Sequence, residues 1–368
     1  MSDSAPAPAL ESRGVLLGMD LPRLTEIVAS AGYPAFRARQ LYHWLYNRAA
    51  FDFSEMHNIA RDFRTWLAGN YAMGHLEIAG VRESTDGTRK ILFRLSDGII
   101  VEGVLMRERN WLTQCVSSQA GCAAGCAFCT TGYDGFHRQM TTAEIISQIL
   151  LAKRVFNDGF CPRNIVFMGM GEPMLNLDNV IPALRILSDP DGMAIAARRI
   201  TVSTAGILPG IERLARENLN VNIAISLNAP DNDLRNRIMP INKAHPIGSL
   251  ISACREYPLR RRRRITFEYV MLGGFNDSLE HARKLAALLL GLPCKINLIP
   301  WNPDGRLPFR RPSDDTVNQF QQFLHDRHFI ASIRYSKGLD IGAACGQLAG
   351  GAAARARERL DKEPRGRR

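Results

Sequence analysis

The chain has 368 residues, of which 46% are hydrophobic and 23% charged, a composition typical of a globular protein with one or two domains. It contains neither the roughly 18-residue apolar run of a membrane span nor an N-terminal secretion signal, so we expect a cytoplasmic protein. The formal net charge of +11 indicates an anionic partner, and nucleic acid is the first class to consider.

The N-terminal region predicts a disordered leader followed by a small helical domain. Residues 1–15 are rich in Ala and Pro, whereas residues 16–80 carry apolar side chains at helical spacing, among them Leu24, Ile27 and Val28. Arginines lie beside several of these apolar positions. We therefore interpret residues 16–80 as an accessory domain that either contacts nucleic acid or caps the core.

The middle of the chain predicts a β-hairpin and then an α/β domain. In residues 81–110, two apolar segments flank Ser96-Asp97-Gly98, which is typical of a tight turn. From 111 to 352, strand and helix patterns alternate six times, which predicts a parallel sheet curved into a partial barrel. The predicted strands span 112–117, 164–168, 199–203, 221–226, 265–271 and 295–299, with a last one at 331–335. The predicted helices span 141–157, 178–188, 209–217, 247–256, 278–290 and 313–327. Residues 353–368 form a charged tail that we expect to be frayed.

Three of the eight cysteines lie close together, as Cys122-Ala-Ala-Gly-Cys126-Ala-Phe-Cys129. In a reducing compartment, such clustering indicates metal or redox chemistry rather than disulfides. Three thiolates on a compact loop can bind three irons of a cubane iron–sulfur cluster and leave the remaining iron open to a substrate. A zinc site with Cys115 as the fourth ligand is the alternative, although zinc ribbons usually contain C-x₂-C pairs.

Polar motifs follow the predicted strands in the same way that the cysteine loop follows the first one. The motifs are GMGEP (169–173), STAG (203–206), SLN (226–228) and WNP (301–303). Barrel-type α/β enzymes build their active sites at the carboxyl ends of their strands. Five motifs on one rim therefore predict an enzyme with its site at that end of the barrel.

Together the motifs resemble a known family. The sequence is similar to the RlmN-type radical S-adenosylmethionine (SAM) methyltransferases from about residue 15 to 352, in the segments CAAGCAFC, GMGEPMLN, TVSTAG, AISLNAP, INKAHPI, EYVML, CKINLIPWNP and DIGAACGQLAG. These enzymes form C2-methyladenosine in 23S ribosomal RNA and at the adenosine 3′ of the anticodon in certain transfer RNAs. The Cfr-type enzymes, which methylate adenine C8, share most of the motifs, but CKINLIPWNP and DIGAACGQL fit the C2 enzymes better. The resemblance implies a radical SAM partial (β/α)6 barrel.

The resemblance also implies the cofactors and the residues that bind them. Cys122, Cys126 and Cys129 would hold a [4Fe–4S] cluster whose open iron binds SAM, and two SAM molecules would be used per turnover. The further SAM contacts carried over are Gly171, Glu172, Ser203, Ser226, Leu227, Asn228 and Asn302. Asn228 departs from the family, which usually has His after Ser-Leu, but an Asn side chain can likewise donate and accept hydrogen bonds.

Three residues carry the implied reaction. Cys345 matches the cysteine that is methylated, and its methyl carbon would then join adenine C2. A lowered thiol pKa would help Cys345 to attack a sulfonium methyl group. Cys115 matches the cysteine that releases the RNA by forming a disulfide with Cys345. Glu102 matches the family's proton acceptor, although a Cys115 thiolate can also take the C2 proton, and without the resemblance Glu102 reads as an exposed strand carboxylate.

The remaining expectations concern other cysteines and partners. Cys161, Cys254 and Cys294 have no assigned role and are expected to be buried structural thiols. Five consecutive arginines at 260–264 either hold RNA phosphates or form a solvated turn. We expect a monomer that receives electrons from an external donor such as flavodoxin. A zinc-stabilised RNA-binding protein without enzymatic activity is the remote alternative.

Overall fold

The computed structural model describes residues 14–108, 111–155, 162–303 and 305–349. The predicted leader lies mostly outside these residues, and the predicted charged tail and Cys161 lie outside them entirely. None of the helices in these ranges combines the length and the hydropathy of a membrane-spanning segment.

The N-terminal region is helical, as predicted. Its helices are α1 (Leu21–Ser30), α2 (Phe36–Tyr42) and α3 (Arg61–Asn70). Asp20 caps α1, because its side chain accepts a hydrogen bond from the Arg23 N–H at 3.0 Å. Two short strands, β1 (Gly14–Val15) and β2 (Tyr71–Ala72), pair in parallel and bring the two ends of the region together.

The rest of the described chain begins with five consecutive strands and then alternates between helices and strands, apart from one pair of consecutive helices. The strands are β3 (Glu77–Glu83), β4 (Arg89–Arg94), β5 (Ile100–Arg107), β6 (Leu112–Cys115), β7 (Gln119–Gly121), β8 (Phe136–Gln139), β9 (Pro162–Phe167), β10 (Ile200–Thr204), β11 (Asn222–Ser226), β12 (Ile265–Met271), β13 (Cys294–Pro300) and β14 (Ala331–Ile333). The helices are α4 (Thr130–Asp134), α5 (Thr142–Val155), α6 (Leu177–Ser188), α7 (Leu208–Arg216), α8 (Asn232–Ile238), α9 (Ile247–Glu256), α10 (Leu279–Leu289) and α11 (Asp314–His325).

Ten of these strands form one sheet, in the order β14-β13-β12-β11-β10-β9-β6-β5-β4-β3. The strands from β6 to β14 in this sheet run parallel, and each lies beside the one that precedes it in the chain. Right-handed crossovers in such an order place the connecting helices on one face, so the sheet curls around the other face. β3 and β14 are the two edges of the sheet and do not pair with each other, so the barrel is partial. The predicted α/β partial barrel is confirmed.

The predicted hairpin is part of the same sheet. β4 and β5 pair antiparallel on either side of the Ser96-Asp97-Gly98 turn, and β5 pairs antiparallel with β6. The boundary drawn at residue 80 falls within β3, which pairs with β4. The hairpin therefore extends the barrel wall.

One hydrophobic core runs through the helical region and the barrel. It includes Leu24 and Leu41 from the helices and Phe167, Ile225 and Phe267 from the strands. β12 and β13 are buried on both faces along most of their length, which explains why their sequences are rich in apolar side chains. The core thus fixes the carboxyl ends of the strands on which the polar motifs lie.

Candidate functional site

The carboxyl ends of the parallel strands surround a cavity of about 190 Å³. A space of this size admits much more than a single water molecule. Predicted site residues that line the cavity are Cys122, Cys126, Cys129, Gly171, Glu172, Ser203, Ser226, Asn228, Asn302 and Cys345. The other three predicted residues, Glu102, Cys115 and Leu227, are not among the residues that line it.

The cysteine loop is closed by the antiparallel ribbon of β7 and β8. The Cys122 N–H donates to the Gly135 carbonyl at 2.8 Å, and the Ala127 N–H donates to the Ile238 carbonyl at the end of α8 at 2.9 Å. Gly121 has a φ of +79°, and a Cβ atom there would lie 2.0 Å from the Gly135 carbonyl oxygen, so only glycine permits this close crossing. The ribbon and α8 therefore hold the loop with its three thiols toward the cavity.

The three thiols form one electrostatic group. Burial raises the pKa of Cys122 to about 12, and burial followed by the charges of Cys129 and Cys122 raises the pKa of Cys126. Three neighbouring thiolates on half-buried cysteines are stabilised by a cationic partner, which an iron–sulfur cluster provides. Among the described residues, no three His, Cys, Asp or Glu side chains form a group for a single metal ion, and Cys115 does not line this cavity. Because Cys115 does not line the cavity, the alternative zinc site lacks its proposed fourth ligand there.

Glu172 is a buried carboxylate in the cavity wall. It accepts hydrogen bonds from the Met174 N–H at 3.0 Å and the Ala205 N–H at 2.6 Å, and no described Lys or Arg pairs with it. Burial raises the pKa of Glu172 to about 7. A buried carboxylate without a cationic side-chain partner fits the ammonium group of an amino acid such as the methionyl moiety of SAM.

Asn302 presents an unsatisfied acceptor at the opposite side of the site. Its Nδ2 donates to Ser336 Oγ at 2.8 Å and to the Cys345 carbonyl at 3.3 Å. Its Oδ1 is buried and has no hydrogen-bond partner among the described residues. Buried acceptors of this kind are costly unless a ligand or water donates to them, so Asn302 fits a ligand-binding role.

Three predicted site residues, Ser226, Leu227 and Asn228, lie at the end of β11, and their side chains have different surroundings. Ser226 lines the cavity, and its Oγ lies 3.5 Å from Ser203 Oγ. The Asn228 side chain already serves the fold, because its Oδ1 accepts the Val270 N–H at 2.9 Å. Leu227 packs in the hydrophobic core instead of lining the cavity, and its carbonyl accepts a hydrogen bond from Arg235. The Leu227 side chain therefore faces the core, whereas Ser226 and Asn228 on either side of it line the cavity.

Cys345 lies on a loop that closes one side of the cavity. The thiol is exposed, but its exposed surface faces the cavity that it lines. The neighbouring backbone is held by the cysteine loop, since the Thr130 N–H donates to the Gly346 carbonyl at 2.8 Å and Thr131 Oγ1 donates to the Leu348 carbonyl at 2.7 Å. The protein atoms around the cavity shield the thiol from bulk water, and this desolvation, followed by the charges of Glu268 and Cys129, raises the pKa of Cys345 to about 11. The surrounding protein therefore does not itself supply the lowered thiol pKa that would help Cys345 to attack a sulfonium methyl group.

Glu102 and Cys115 lie behind this loop. Glu102 is buried, so its interpretation as an exposed carboxylate is wrong; it pairs with Lys90 at 3.4 Å and accepts the Ala349 N–H at 3.1 Å. Cys115 is buried at the end of β6, and burial followed by the charge of Cys345 raises its pKa. The two residues therefore contact or approach the Cys345 loop from the barrel wall.

Sequence reasoning missed three charged residues around the site. Glu268 lines the cavity from β12, accepts a hydrogen bond from Asn297 Nδ2 at 2.8 Å and has a pKa raised by burial. Arg235 on α8 is 0% exposed, and its guanidinium donates to the carbonyls of Ala205 and Leu227. The third residue is Lys90, which is 2% exposed. A carboxylate among the apolar residues of ITFEYVM could have indicated that Glu268 belongs to the site. Nothing in the sequence indicates that Arg235 and Lys90 are buried.

Comparisons with known proteins agree with this geometry. The sequence profile of the Radical SAM superfamily matches residues 116–286, and that of the Ribosomal RNA large subunit methyltransferase N-terminal domain matches residues 15–72. Proteins named dual-specificity RNA methyltransferase RlmN from Pelobacter propionicus and Geobacter sulfurreducens are each 49% identical to this chain. The first alignment covers 91% of this chain and 95% of the relative, and the second covers 90% and 91%. The crystal structure of a radical SAM methyltransferase from Sphaerobacter thermophilus aligns with a TM-score of 0.87 at 46% identity, over 91% of this chain and 99% of that one.

Proposed function

The chain belongs to the RlmN family of radical SAM RNA methyltransferases, and we propose that it methylates adenine C2 in 23S ribosomal RNA and at the adenosine 3′ of the anticodon in transfer RNAs. The observation that carries the proposal is that Cys345 faces the same cavity as Cys122, Cys126 and Cys129. The relatives are named for dual-specificity RNA methylation, which favours this function over C8 methylation of the Cfr type and over a zinc-stabilised RNA-binding protein.

The cofactors are those of the radical SAM superfamily, a [4Fe–4S] cluster and SAM, with two SAM molecules per turnover. When bound, they supply a transferable methyl group and a one-electron cleavage that yields a carbon-centred radical. We assign the cluster to Cys122, Cys126 and Cys129. We assign SAM binding to cavity-lining residues that carry a negative charge, can form hydrogen bonds or, as glycine, let a ligand approach the backbone closely. These residues are Gly171, Glu172, Ser203, Ser226, Asn228 and Asn302.

Cys345 is the residue that we assign as methyl carrier. As a thiolate it is the nucleophile for a sulfonium methyl group, and its place in the cavity wall keeps the methylated sulfur beside the cofactor site. After its carbon has joined adenine C2, Cys115 releases the RNA. The Cys115 sulfur bonds to the Cys345 sulfur, the sulfur–carbon bond breaks, and the carbon keeps the electron pair and takes a proton. The disulfide is then reduced by an external thiol, which restores both cysteines.

Two groups can take the C2 proton, the Cys115 thiolate and the Glu102 carboxylate. Lys90 lies beside one oxygen of Glu102, and the Ala349 N–H donates to the other. These contacts support a positioning role for Glu102 toward the Cys345 loop, whichever group takes the proton. The measurement that separates the two is the rate of proton loss from C2 in the Glu102→Gln and Cys115→Ala variants.

The substrate and partners complete the proposal. The target base must leave its stack to enter the cavity, which favours loops and unpaired bases. The helical region is the proposed RNA-binding accessory domain, supported by the match of residues 15–72 to a ribosomal RNA methyltransferase domain and by the net charge of +11. We further propose a cytoplasmic monomer that receives electrons from a donor such as flavodoxin.

The test is an anaerobic methylation assay with reconstituted protein, SAM, reductant and RNA. The wild-type chain is expected to form 2-methyladenosine, and Cys345→Ala is expected to form none while retaining its iron and sulfide. Methylation by the Cys345→Ala variant would overturn the proposed mechanism. Formation of 8-methyladenosine alone would overturn the proposed position.

A further inference from the structure

The end of the barrel opposite the cavity carries a cluster of arginines. Arg163 is the second residue of β9, Arg198 and Arg199 directly precede β10, and arginines 260–264 directly precede β12. These strands are parallel, so their amino ends lie on one edge of the barrel and their carboxyl ends surround the cavity. We call these eight residues the arginine surface.

Asn222 at the start of β11 links the segments of the arginine surface. Its Oδ1 accepts a hydrogen bond from Arg263 Nη1, and its Nδ2 donates to the Arg198 carbonyl at 2.8 Å. Partial burial, followed by the charges of Arg163 and Arg198, lowers the pKa of Arg199. The arginines therefore lie close enough to act as one positive surface.

None of the eight arginines forms an ion pair with a carboxylate of a described residue. Neighbouring arginines on the outer helices differ, since Arg185 pairs with Glu217 at 2.6 Å and Arg213 pairs with Asp178 at 2.7 Å. Six of the eight are exposed, and Arg199 and Arg263 are half-buried. A set of neighbouring like charges without counter-charges weakens the fold by repulsion, and binding of a polyanion removes that cost.

A groove beside the arginine surface adds hydrogen-bonding groups. Its walls contain Asn218, Asn220 and Tyr257 together with Arg260 and Arg263. Guanidinium groups bind phosphates in a bidentate manner, and amide side chains bind phosphates, sugars and base edges. This combination fits the backbone of a nucleic acid.

We propose that the arginine surface is a second RNA-binding surface, which contacts the phosphates of a large structured RNA whose target base lies in the cavity. The inference rests on the proposed function. The strands between the two ends have five to seven residues, or roughly 20 Å at about 3.3 Å per residue. Ribosomal RNA is large enough to contact both ends at once, and we assign the arginine surface to that RNA.

The test compares two RNAs and two variants of the reconstituted full-length protein. The triple variant Arg198→Gln/Arg260→Gln/Arg261→Gln removes three exposed side chains that make no described hydrogen bond to the fold. The control Arg213→Gln/Arg283→Gln removes two exposed arginines that are paired with Asp178 and Glu280. Binding is measured against salt concentration for a 23S ribosomal RNA transcript and for an anticodon stem-loop.

The triple variant is expected to bind the ribosomal transcript on the order of tenfold more weakly, with a salt slope that is lower by about two to three. Its affinity for the stem-loop and the affinities of the control are expected to match the wild type. An unchanged affinity and salt slope for the ribosomal transcript would overturn the inference while wild-type methylation still supported the proposed function. Failure of the wild type to bind or methylate either RNA would instead remove the proposed function itself.

Discussion

Lys90 and Glu102 form a buried ion pair that holds both ends of the loop carrying Cys345. Their side chains are each 2% exposed, and Lys90 Nζ lies 3.4 Å from Glu102 Oε1. Lys90 Nζ also donates to the Gly342 carbonyl at 3.2 Å, and Glu102 Oε2 accepts the Ala349 N–H at 3.1 Å. The pair thus contacts the loop at Gly342, before Cys345 in the sequence, and at Ala349, after it.

Replacing Lys90 by Met is expected to destabilise the chain and to misplace the Cys345 loop. The substitution leaves Glu102 buried without its cation, which typically costs about 3–5 kcal/mol in free energy of unfolding. Chemical denaturation of the purified variant measures this loss. Arg23→Gln, which breaks the exposed pair with Glu26, is the control and is expected to cost less than about 1 kcal/mol. A Lys90→Met variant as stable as the wild type would contradict the importance of the pair.

Removing Cys115 is expected to trap the protein on its RNA. Without the second thiol, the bond between Cys345 and adenine cannot be resolved by a disulfide, so Cys115→Ala should accumulate a covalent adduct under denaturing electrophoresis. The double variant Cys115→Ala/Cys345→Ala should form none. Cys254→Ala removes a buried thiol that does not line the cavity and should turn over normally. Normal turnover by Cys115→Ala would exclude its assigned role.

Replacing Asn302 by Ala is expected to weaken SAM binding about tenfold, because a hydrogen bond worth about 1.4 kcal/mol is lost from a buried acceptor. Calorimetric titration of the reconstituted protein with SAM measures the change. Asn164→Ala is the control, since Asn164 bonds to Thr113 near the amino ends of the strands. Equal SAM affinities for Asn302→Ala and the wild type would show that Oδ1 does not face the cofactor.

Arg235 is expected to favour the reduced state of the cluster. Its guanidinium is fully buried without an ion pair to a described carboxylate, and its end of α8 contacts the cysteine loop through Ile238 and Ala127. Reduction adds negative charge, so Arg235→Gln should lower the cluster potential by on the order of 50 mV, while Arg235→Lys should retain most of it. Spectroelectrochemistry of protein with matched iron content tests this, with the exposed Arg237→Gln as control. The same potential in Arg235→Gln and Arg237→Gln would refute it.

The sequence was sufficient to predict the strands, helices and motifs that depend on residues close together in the chain. The buried strands carry mostly apolar side chains at their buried positions, and the cysteine loop and the GMGEP, STAG and WNP motifs follow them, so the barrel and most of the lining of its cavity could be predicted from their order in the sequence. The resemblance implied Leu227 as a cofactor contact, and which face its side chain takes became visible only in the structure, where it packs in the core.

The missed features depend on contacts between distant parts of the chain. Lys90 meets Gly342, Glu102 meets Ala349, and the guanidinium of Arg235 is enclosed by carbonyls from two strand ends. Charged residues are usually exposed, so composition predicts the opposite of their burial. The Cys345 loop covers Lys90 and Glu102, and the ends of β10 and β11 enclose Arg235, so these charges become internal only in the folded protein.

The most direct measurement is mass spectrometry of nucleosides from the ribosomal and transfer RNA of cells that lack this protein. We predict that 2-methyladenosine is absent from 23S ribosomal RNA and from transfer RNA, that the wild-type gene restores it, and that the Cys345→Ala gene does not. Undiminished 2-methyladenosine in both RNAs of the deletion strain, or its restoration by Cys345→Ala, would contradict the assignment of Cys345 as the methyl carrier of an adenine C2 methyltransferase.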